Sequence, residues 1–344
     1  MTRTSVIAPC RNEAAHLDAF LRSVLAQQLA PGDTLQLVVA DGASDDGTRE
    51  LLAARAATEP RLRVIDNPGR IVSTGLNRAI ALAEGEVIVR MDVHSVYAED
   101  YVRQCVRVLA ATGATCVGGP WTPLAEGGRA RAIGRAIARA FASGFGSGGA
   151  ASRRADFEGE VDTVYLGAWR RDDLLRLGGF DETLVRNQDD ELNLRIRRGG
   201  GRVWQSPAIK SGYTPRASFT ALARQLWQYG YWKVAVIRKH RLPASPRHLM
   251  PFALILLATM LAAAGLAWPP AWGLLAALLA LYAGAALGSA ARLAPPWREP
   301  GQWLAIGWAY ACMHFSYGLG FARGLWDAWR GRFGRDEGTT RLTR

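Results

Sequence analysis

Leu35-Gln-Leu-Val-Val-Ala-Asp-Gly-Ala-Ser-Asp-Asp-Gly-Thr48 joins a short apolar run to a turn of acids and glycines. The run, Leu35–Ala40, has the length and content of a buried β-strand. Asp41 to Thr48 carries the residue types that make turns and cap helices. The same alternation repeats on both sides. Ser5–Ala8 is an apolar strand ending at Pro9, and Leu17, Phe20, Leu21, Val24 and Leu25 then recur at helical spacing. Helix is expected over Thr48–Ala57, strand over Arg61–Asp66 and helix over Ile71–Ala83. Strand then follows over Glu86–Met91, running straight into Asp92. Alternating strands and helices predict an α/β fold with a mostly parallel sheet covered on both faces. Ligands of such sheets gather at the carboxyl ends of the strands. Pro9–Glu13, Asp41–Thr48, Asp66–Gly69 and Asp92–His94 all lie there. A dinucleotide-binding domain would carry G-x-G-x-x-G after its first strand, where this chain has Cys10-Arg11-Asn12-Glu13. That weakens the dehydrogenase reading.

The chain has 344 residues and a formal net charge of +12. Such a balance suits anionic lipid, phosphorylated substrates or nucleic acid. No aromatic-rich nucleic-acid signature accompanies it, so lipid and diphosphate are the expected partners. Cys10, Cys105, Cys116 and Cys312 form no C-x-x-C pair, which argues against a zinc site or a disulfide framework. The apolar run near the N-terminus is too short for a signal peptide.

Five segments carry a resemblance. They are Pro9–Glu13, Asp41–Thr48, Met91-Asp-Val-His94, Gly178-Gly-Phe-Asp-Glu182 and Gln188-Asp-Asp-Glu-Leu-Asn-Leu-Arg195. Together and in this order they resemble the family 2 glycosyltransferases, inverting enzymes of GT-A fold that use nucleotide sugars. The succinoglycan-biosynthesis ExoA-like branch is the nearer likeness, over residues 4–240. The resemblance implies a Rossmann-like nucleotide-sugar-binding domain in which Asp41 reads uracil. Pro9, Arg11 and Glu13 then wall the base and ribose. Asp92-Val-His94 occupies the family's D-x-D position, with His94 in place of the second acid. A divalent metal, Mg²⁺ or Mn²⁺, is implied there, and imidazole suits Mn²⁺ better.

In the family's E-D-x-x-L-x-x-R pattern the aspartate after the first acid is the base. That aspartate is Asp189, and Gln188 replaces the leading glutamate. Asn187 at a helix start, followed by acids, is also ordinary capping chemistry. Val161–Arg171 resembles the floor of the donor and acceptor site, with Gly167 and Ala168 small enough for a sugar to approach. Gln225–Lys233 loosely resembles the Q-x-x-R-W element of polymerising members, without its arginine and exact spacing, and Trp232 there could stack on a sugar.

Beyond residue 240 the solvent changes. Leu249–Trp268, Ala271–Ala290 and Gly301–Ala322 lack charged residues, and each is long enough to span a bilayer. Arg238, Lys239, Arg241 and Arg247 precede the first, placing the head in the cytoplasm by the positive-inside rule. Three spans would leave the C-terminus outside, although it carries Arg323, Arg330, Arg332, Arg335, Arg341 and Arg344. Arg131, Arg135 and Arg139 alternate with Ile133, Ile137, Phe141 and Phe145, which suggests a basic amphipathic helix. Gly144–Gly149 follows as a pliable stretch that could close over an acceptor.

The expected organisation is therefore a GT-A domain over residues 1–240 and two to three transmembrane helices over 241–325. A basic tail fills 326–344. The expected protein is a multi-pass enzyme of the bacterial inner membrane with a cytoplasmic catalytic domain. By resemblance it moves glucose from UDP-glucose to a polyprenyl-diphosphate-linked oligosaccharide of an exopolysaccharide. A polyprenyl-phosphate sugar transferase and a non-catalytic membrane scaffold are the alternatives.

Overall fold

The computed structural model describes residues 1–123, 128–243 and 245–340. The side chains of residues 123–131, including Arg131, and the residues Arg341 and Arg344 lie outside the described set. Chain contacts form two units. One comprises Met1–Thr122 with Arg154–Thr214, the other Pro123–Arg153 with Pro215–Arg344.

The first unit opens with β1 (Arg3–Cys10), α1 (Ala14–Leu25), β2 (Thr34–Asp41), α2 (Thr48–Ala56), β3 (Leu62–Asp66), α3 (Val72–Leu82) and β4 (Val87–Arg90). After it come β5 (Ser95–Tyr97), α4 (Tyr101–Thr112), β6 (Cys116–Gly119) and β7 (Thr122–Pro123). The second unit interrupts with α5 (Gly128–Ala142) and α6 (Gly144–Ser147). The chain returns through β8 (Gly159–Glu160), β9 (Tyr165–Arg170), α7 (Arg171–Arg176), α8 (Gln188–Arg198), β10 (Val203–Gln205) and β11 (Ser211–Tyr213). It ends in the second unit with α9 (Phe219–His240), α10 (Met250–Gly265), α11 (Pro270–Leu293), α12 (Pro300–Trp329) and α13 (Glu337–Thr340).

Eight strands form one sheet in the order β3-β2-β1-β4-β9-β6-β10-β8. The β3-β2-β1-β4 half is parallel, as the α/β alternation requires. Strand β9 is inserted antiparallel between β4 and β6, making the sheet mixed. This pairing joins segments about eighty residues apart, which no local pattern can register. The β1 side chains Val6 and Ala8 pack with Leu17, Phe20 and Val24 of α1 in one fully buried cluster that also takes in Leu37, Val39, Val89 and Met91. Burying each of these valine, leucine, phenylalanine and methionine side chains contributes about 1.5–3 kcal/mol. The cluster fixes where the strands stop, and therefore where their polar ends emerge.

In the second unit, only α11 among the described residues is long and apolar enough to cross a membrane. The first of the three expected spans is shorter than the sequence suggests: α10 has 16 residues. The third becomes α12, 30 residues long, with one face against α9. A Cβ on Gly320 would sit 2.0 Å from the Trp227 carbonyl oxygen, and one on Gly230 would sit 2.0 Å from that of Tyr317. Glycine lets the two backbones meet. Helices α10 and α11 form a hairpin: Gly265 meets the Trp272 ring across the Trp268-Pro-Pro270 connection. Gly307 of α12 faces Leu287, and Gly318 faces Pro251 and Ile255. Helix α12 thus crosses the foot of the hairpin.

The amphipathic reading of α5 takes a particular form. Ile137 and Phe141 are buried, and Arg139 Nη1 donates to Glu299 Oε2 at 3.0 Å. Gln302 Nε2 donates to the Ala132 carbonyl at 2.9 Å. Protein covers the apolar face. Gly144–Gly149 is not a slack loop either. It contains α6, capped by Ser143, whose Oγ accepts from Gly146 N at 3.0 Å.

Candidate active site

Pro9, Arg11, Glu13, Asp41, Asp92, His94 and Asp189 all lie in the first unit. In the sheet register Cys10 sits opposite Asp41, and Asp41 opposite Asp66. The frayed ends are then sewn together. Gly42 N donates to Cys10 O, and Asn67 N to Asp41 O, both at 2.7 Å. Asp41 is buried, and its carboxylate accepts from Ser44 Oγ at 2.5 Å and Ser44 N at 3.3 Å. It is thus both a turn residue and an acceptor with lone pairs left for a ligand.

The loop after β1 is tied to the loop after β2. Asn12 (φ 55°) donates through Nδ2 to Asp45 Oδ1 at 2.8 Å, and its Oδ1 accepts from Asp45 N at 3.0 Å. Glu13 N donates to Thr48 Oγ1 at 2.8 Å, and Ala14 N to Asp46 Oδ2 at 3.1 Å. Gly47 (φ 92°) occupies the N-cap position of α2 without a side-chain capping bond, and Asp46 Oδ1 just before it accepts from Thr48 N at 3.1 Å. Pro9 pairs with Ala40 inside the sheet, and the Arg11 side chain lies over Gly42. Pro9, Arg11, Glu13 and Asp41 therefore belong to one continuous wall.

The second wall is electrostatic. Arg90 ends the apolar strand β4 and is 4% exposed. Burying a guanidinium is costly unless its donors are satisfied by acceptors of opposite charge. Arg90 Nε donates to Asp92 Oδ1 at 2.9 Å, and Nη2 to Asp92 Oδ2 at 3.1 Å. Its Nη1 donates to Asp189 Oδ1. One planar fork thus holds two carboxylates 97 positions apart in the chain.

The two acids differ in how readily they ionise. Burial disfavours the Asp92 carboxylate, but Arg90 and then His94 outweigh it and hold the group below the usual range. Burial also disfavours the Asp189 carboxylate. There Arg90 only partly compensates, and the negative charges of Asp92 and Asp190 add to the effect, so Asp189 is pushed up to about 6. Enclosed as it is, its side chain keeps 33% exposure, enough to be reached. A carboxylate poised near neutrality and open to solvent has the properties of a general base.

His94 lies on the same rim, 41% exposed, with Nδ1 3.4 Å from Oε1 of the buried Glu13. The structure thus brings Glu13 to the Asp92–His94 side of the pocket. Tyr97 and Tyr165 complete this wall. Tyr97 Oη accepts from Asp92 N at 2.6 Å, and Tyr165 Oη shares a hydrogen bond with Ser95 Oγ at 2.9 Å.

Asp189 rests on a rigid mount. Asn187 occupies the N-cap position of α8 with φ 63°, and its carbonyl accepts from Glu191 N at 2.9 Å. Its side chain makes no capping bond, contrary to the simple capping expectation. Arg195 Nε donates to Glu191 Oε1 at 2.9 Å, and its Nη2 to Gly179 O at 2.6 Å. Asn77 also clamps the Gly178–Glu182 turn: Phe180 N donates to its Oδ1 at 2.8 Å.

Sequence reasoning missed Arg90, Tyr97 and Tyr165. A signal for Arg90 was present, because a charge closing an otherwise apolar strand must find a countercharge if buried. Two expectations change. Gly167 is small because its φ is 114° and a Cβ would strike the Trp169 ring at 2.5 Å. Ala168 is buried within the sheet, paired with Val89 and Val117. Trp232 belongs to the second unit, is buried, and donates from Nε1 to the Thr339 carbonyl at 2.9 Å.

Residues 5–158 match the model of glycosyl transferase family 2. The chain is 31% identical to the succinoglycan biosynthesis protein ExoA of Rhizobium meliloti, over 95% of its own length and 96% of that protein. The chain belongs to glycosyltransferase family 2 and is ExoA-like. It is 23% identical, over 94% of its length, to a dolichyl N-acetyl-alpha-D-glucosaminyl phosphate 3-beta-D-2,3-diacetamido-2,3-dideoxy-beta-D-glucuronosyltransferase of Methanococcus voltae, covering 98% of that enzyme. Among solved structures it resembles the mannosyltransferase PcManGT of Pyrobaculum calidifontis in complex with GDP-Man and Mn²⁺. The TM-score is 0.60 with 25% identity, over 95% of this chain and 88% of that one. The protein is thus a glycosyltransferase with a GT-A fold and a mostly parallel, mixed sheet.

Proposed function

We propose that this glycosyltransferase moves a sugar from a nucleotide diphosphate to a lipid-linked saccharide at a membrane surface, in polysaccharide or lipid-linked glycan synthesis. The observation that carries the reading is the convergence of Asp92 and Asp189 on Arg90, next to the wall built from Pro9, Arg11, Glu13 and Asp41. Nucleotide, diphosphate and base fall into one pocket at the carboxyl ends of the strands. Asp41 accepts a hydrogen bond from the base, and Pro9, Arg11 and Glu13 flank it with the ribose. Asp189 takes the proton of the acceptor hydroxyl. As it does so, that oxygen bonds to the anomeric carbon, and the bond to the diphosphate breaks with inversion.

A divalent ion fits the diphosphate side on its donor chemistry. Asp92 has lone pairs beyond the two that accept from Arg90, and His94 offers an exposed imidazole. Among the described residues no three His, Cys, Asp or Glu side chains converge as a metal site, so phosphate oxygens would complete the coordination. When bound, the ion neutralises the leaving diphosphate. The PcManGT complex, which holds GDP-Man and Mn²⁺, supports both the donor class and the metal. UDP-glucose is the donor suggested by the ExoA likeness. The lipid-linked acceptor is suggested by the dolichyl-linked substrate in the name of the Methanococcus voltae relative.

Exposed apolar side chains support the membrane part. Leu256, Leu257 and Met260 of α10, and Leu274, Leu279 and Leu281 of α11, point away from protein. Such a patch calls for lipid or a partner. A hairpin of α10 and α11 that enters and leaves the bilayer on one side would remove the charge conflict of three spans. Arg247 before α10 and Arg292 at the end of α11 then lie on the same, cytoplasmic side as the described basic residues after α12. Helix α12, with Leu304, Trp308, Trp326 and Trp329 exposed, lies along the interface of the inner membrane rather than across it.

The test is transfer by the purified protein. UDP-glucose, other UDP-sugars and GDP-mannose are supplied with Mg²⁺ or Mn²⁺, and bacterial membrane lipid is the acceptor. Transfer to lipid, lost in Asp189→Asn with nucleotide binding retained, supports the reading. Full transfer by Asp189→Asn removes the base, and inertness with every donor removes the activity.

A further inference from the structure

We infer that Arg90 is a positioning residue, one that sets the attacking base against the diphosphate-binding acid through a single rigid guanidinium. The inference rests on the proposed roles of Asp92 and Asp189 and assigns a task to a residue that neither role requires.

The geometry is specific to arginine. Nε and Nη2 engage both oxygens of Asp92 at 2.9 and 3.1 Å, using one edge of the fork. The remaining Nη1 reaches Asp189. The guanidinium is planar and its donors diverge at fixed angles, so the three contacts share one rigid set of donor directions. The distance and angle between the two carboxylates are thereby set by covalent geometry rather than by two flexible side chains. An ammonium is a point donor on a flexible stem and cannot reproduce this.

Arg90 is itself held firmly. It lies in β4 opposite Ile7 of the central strand β1, and Met91 N donates to Ile7 O at 3.1 Å. On the far side Tyr97 Oη bonds both the N–H and the carbonyl of Asp92. The fork is therefore mounted on the most buried part of the sheet, while Asp189 comes from the start of a helix about a hundred residues later. Small displacements matter here. Effective molarity in a displacement reaction depends on reacting atoms being held within a few tenths of an ångström, and a misplacement of about 1 Å can cost about a hundredfold. Arg90 supplies that constraint without touching either substrate.

The experiment compares Arg90→Lys, Arg90→Ala and Asp189→Asn in the full chain. UDP with Mn²⁺ and GDP with Mn²⁺ serve as nucleotide probes, and the donor that supports transfer serves for kinetics. The expected result for Arg90→Lys is a kcat lower by about 10²-fold, with donor KM and nucleotide affinity within about threefold of wild type. In Arg90→Ala, millimolar guanidinium ion should restore part of kcat, whereas ammonium should not. A merely structural role would lower stability and scale all parameters together, and would show no such rescue. A folded Arg90→Lys with wild-type kcat overturns the inference, as does a loss confined to nucleotide affinity. If Asp189→Asn is inactive while both Arg90 variants turn over normally, this inference alone fails. Full transfer by Asp189→Asn instead removes the base on which it stands.

Discussion

Tyr97 and Asp92 exchange two hydrogen bonds: the Tyr97 hydroxyl accepts from Asp92 N at 2.6 Å and donates to Asp92 O at 3.0 Å. Both peptide groups lie past the end of β4, where the ladder no longer satisfies them. Tyr97→Phe would leave the buried Asp92 N–H without this partner, while the Asp92 carbonyl keeps its bond from Ser95 N at 3.1 Å. The expected cost is about 1–3 kcal/mol of stability. A fall in kcat should accompany it, because the Asp92 backbone is freed. Denaturant unfolding and steady-state kinetics read the two effects.

The Asp189 carboxyl is pushed up to about 6, chiefly by burial. A base must be ionised to accept a proton, so transfer should rise about tenfold per pH unit below that value and level off above it. A kcat/KM profile with an acid limb near 6 is expected. A limb near 4, the ordinary carboxylate range, would show that burial does not govern this group.

Glu191 is fully buried and paired with Arg195, which also donates to the carbonyls of Leu177 and Gly179. Arg195→Met would take this cation from a buried carboxylate and loosen the turn before α8. A loss of about 3–5 kcal/mol is expected, measurable by thermal or denaturant unfolding. The double variant Arg195→Met/Glu191→Leu should recover much of it, since the uncompensated charge is then gone.

Chelation of divalent ions should abolish transfer, and Mn²⁺ should restore it better than Mg²⁺, given the imidazole of His94. His94→Asp should move the preference toward Mg²⁺. Activity titrated against each ion in both proteins checks this. An unchanged ratio of the two ions would place His94 outside the metal's reach.

Gly320 lets α12 lie against the Trp227 carbonyl of α9. Gly320→Leu would force the helices apart within the second unit. Faster proteolysis of the region from α9 onward and a lower Tm in detergent are the expected outcomes.

Particular residues show how far the chain could be read without coordinates. The strand ends at Pro9, Asp41 and Asp92 were legible because apolar runs stop where polar turn residues begin, which is local information. The start of α8 around Asp189 was legible for the same reason. Strand β9 was not, because its place between β4 and β6 depends on a pairing across about eighty residues. Trp232 and Gly167 looked like sugar-facing residues by resemblance to the family. Their true neighbours, Thr339 and Trp169, come from the tertiary fold.

The sequence by itself determined the α/β alternation, the positions of the acids at strand ends and the shift to apolar helices after residue 240. Periodicity and turn chemistry act over a few residues, so they survive in one dimension. Only the tertiary structure decided that Arg90 joins Asp92 to Asp189, and that α12 covers α9 with one face. An apolar pattern records which side chains avoid water, but not whether protein or lipid replaces it. A buried charge likewise requires a partner without naming one, and that partner is chosen when distant segments pack.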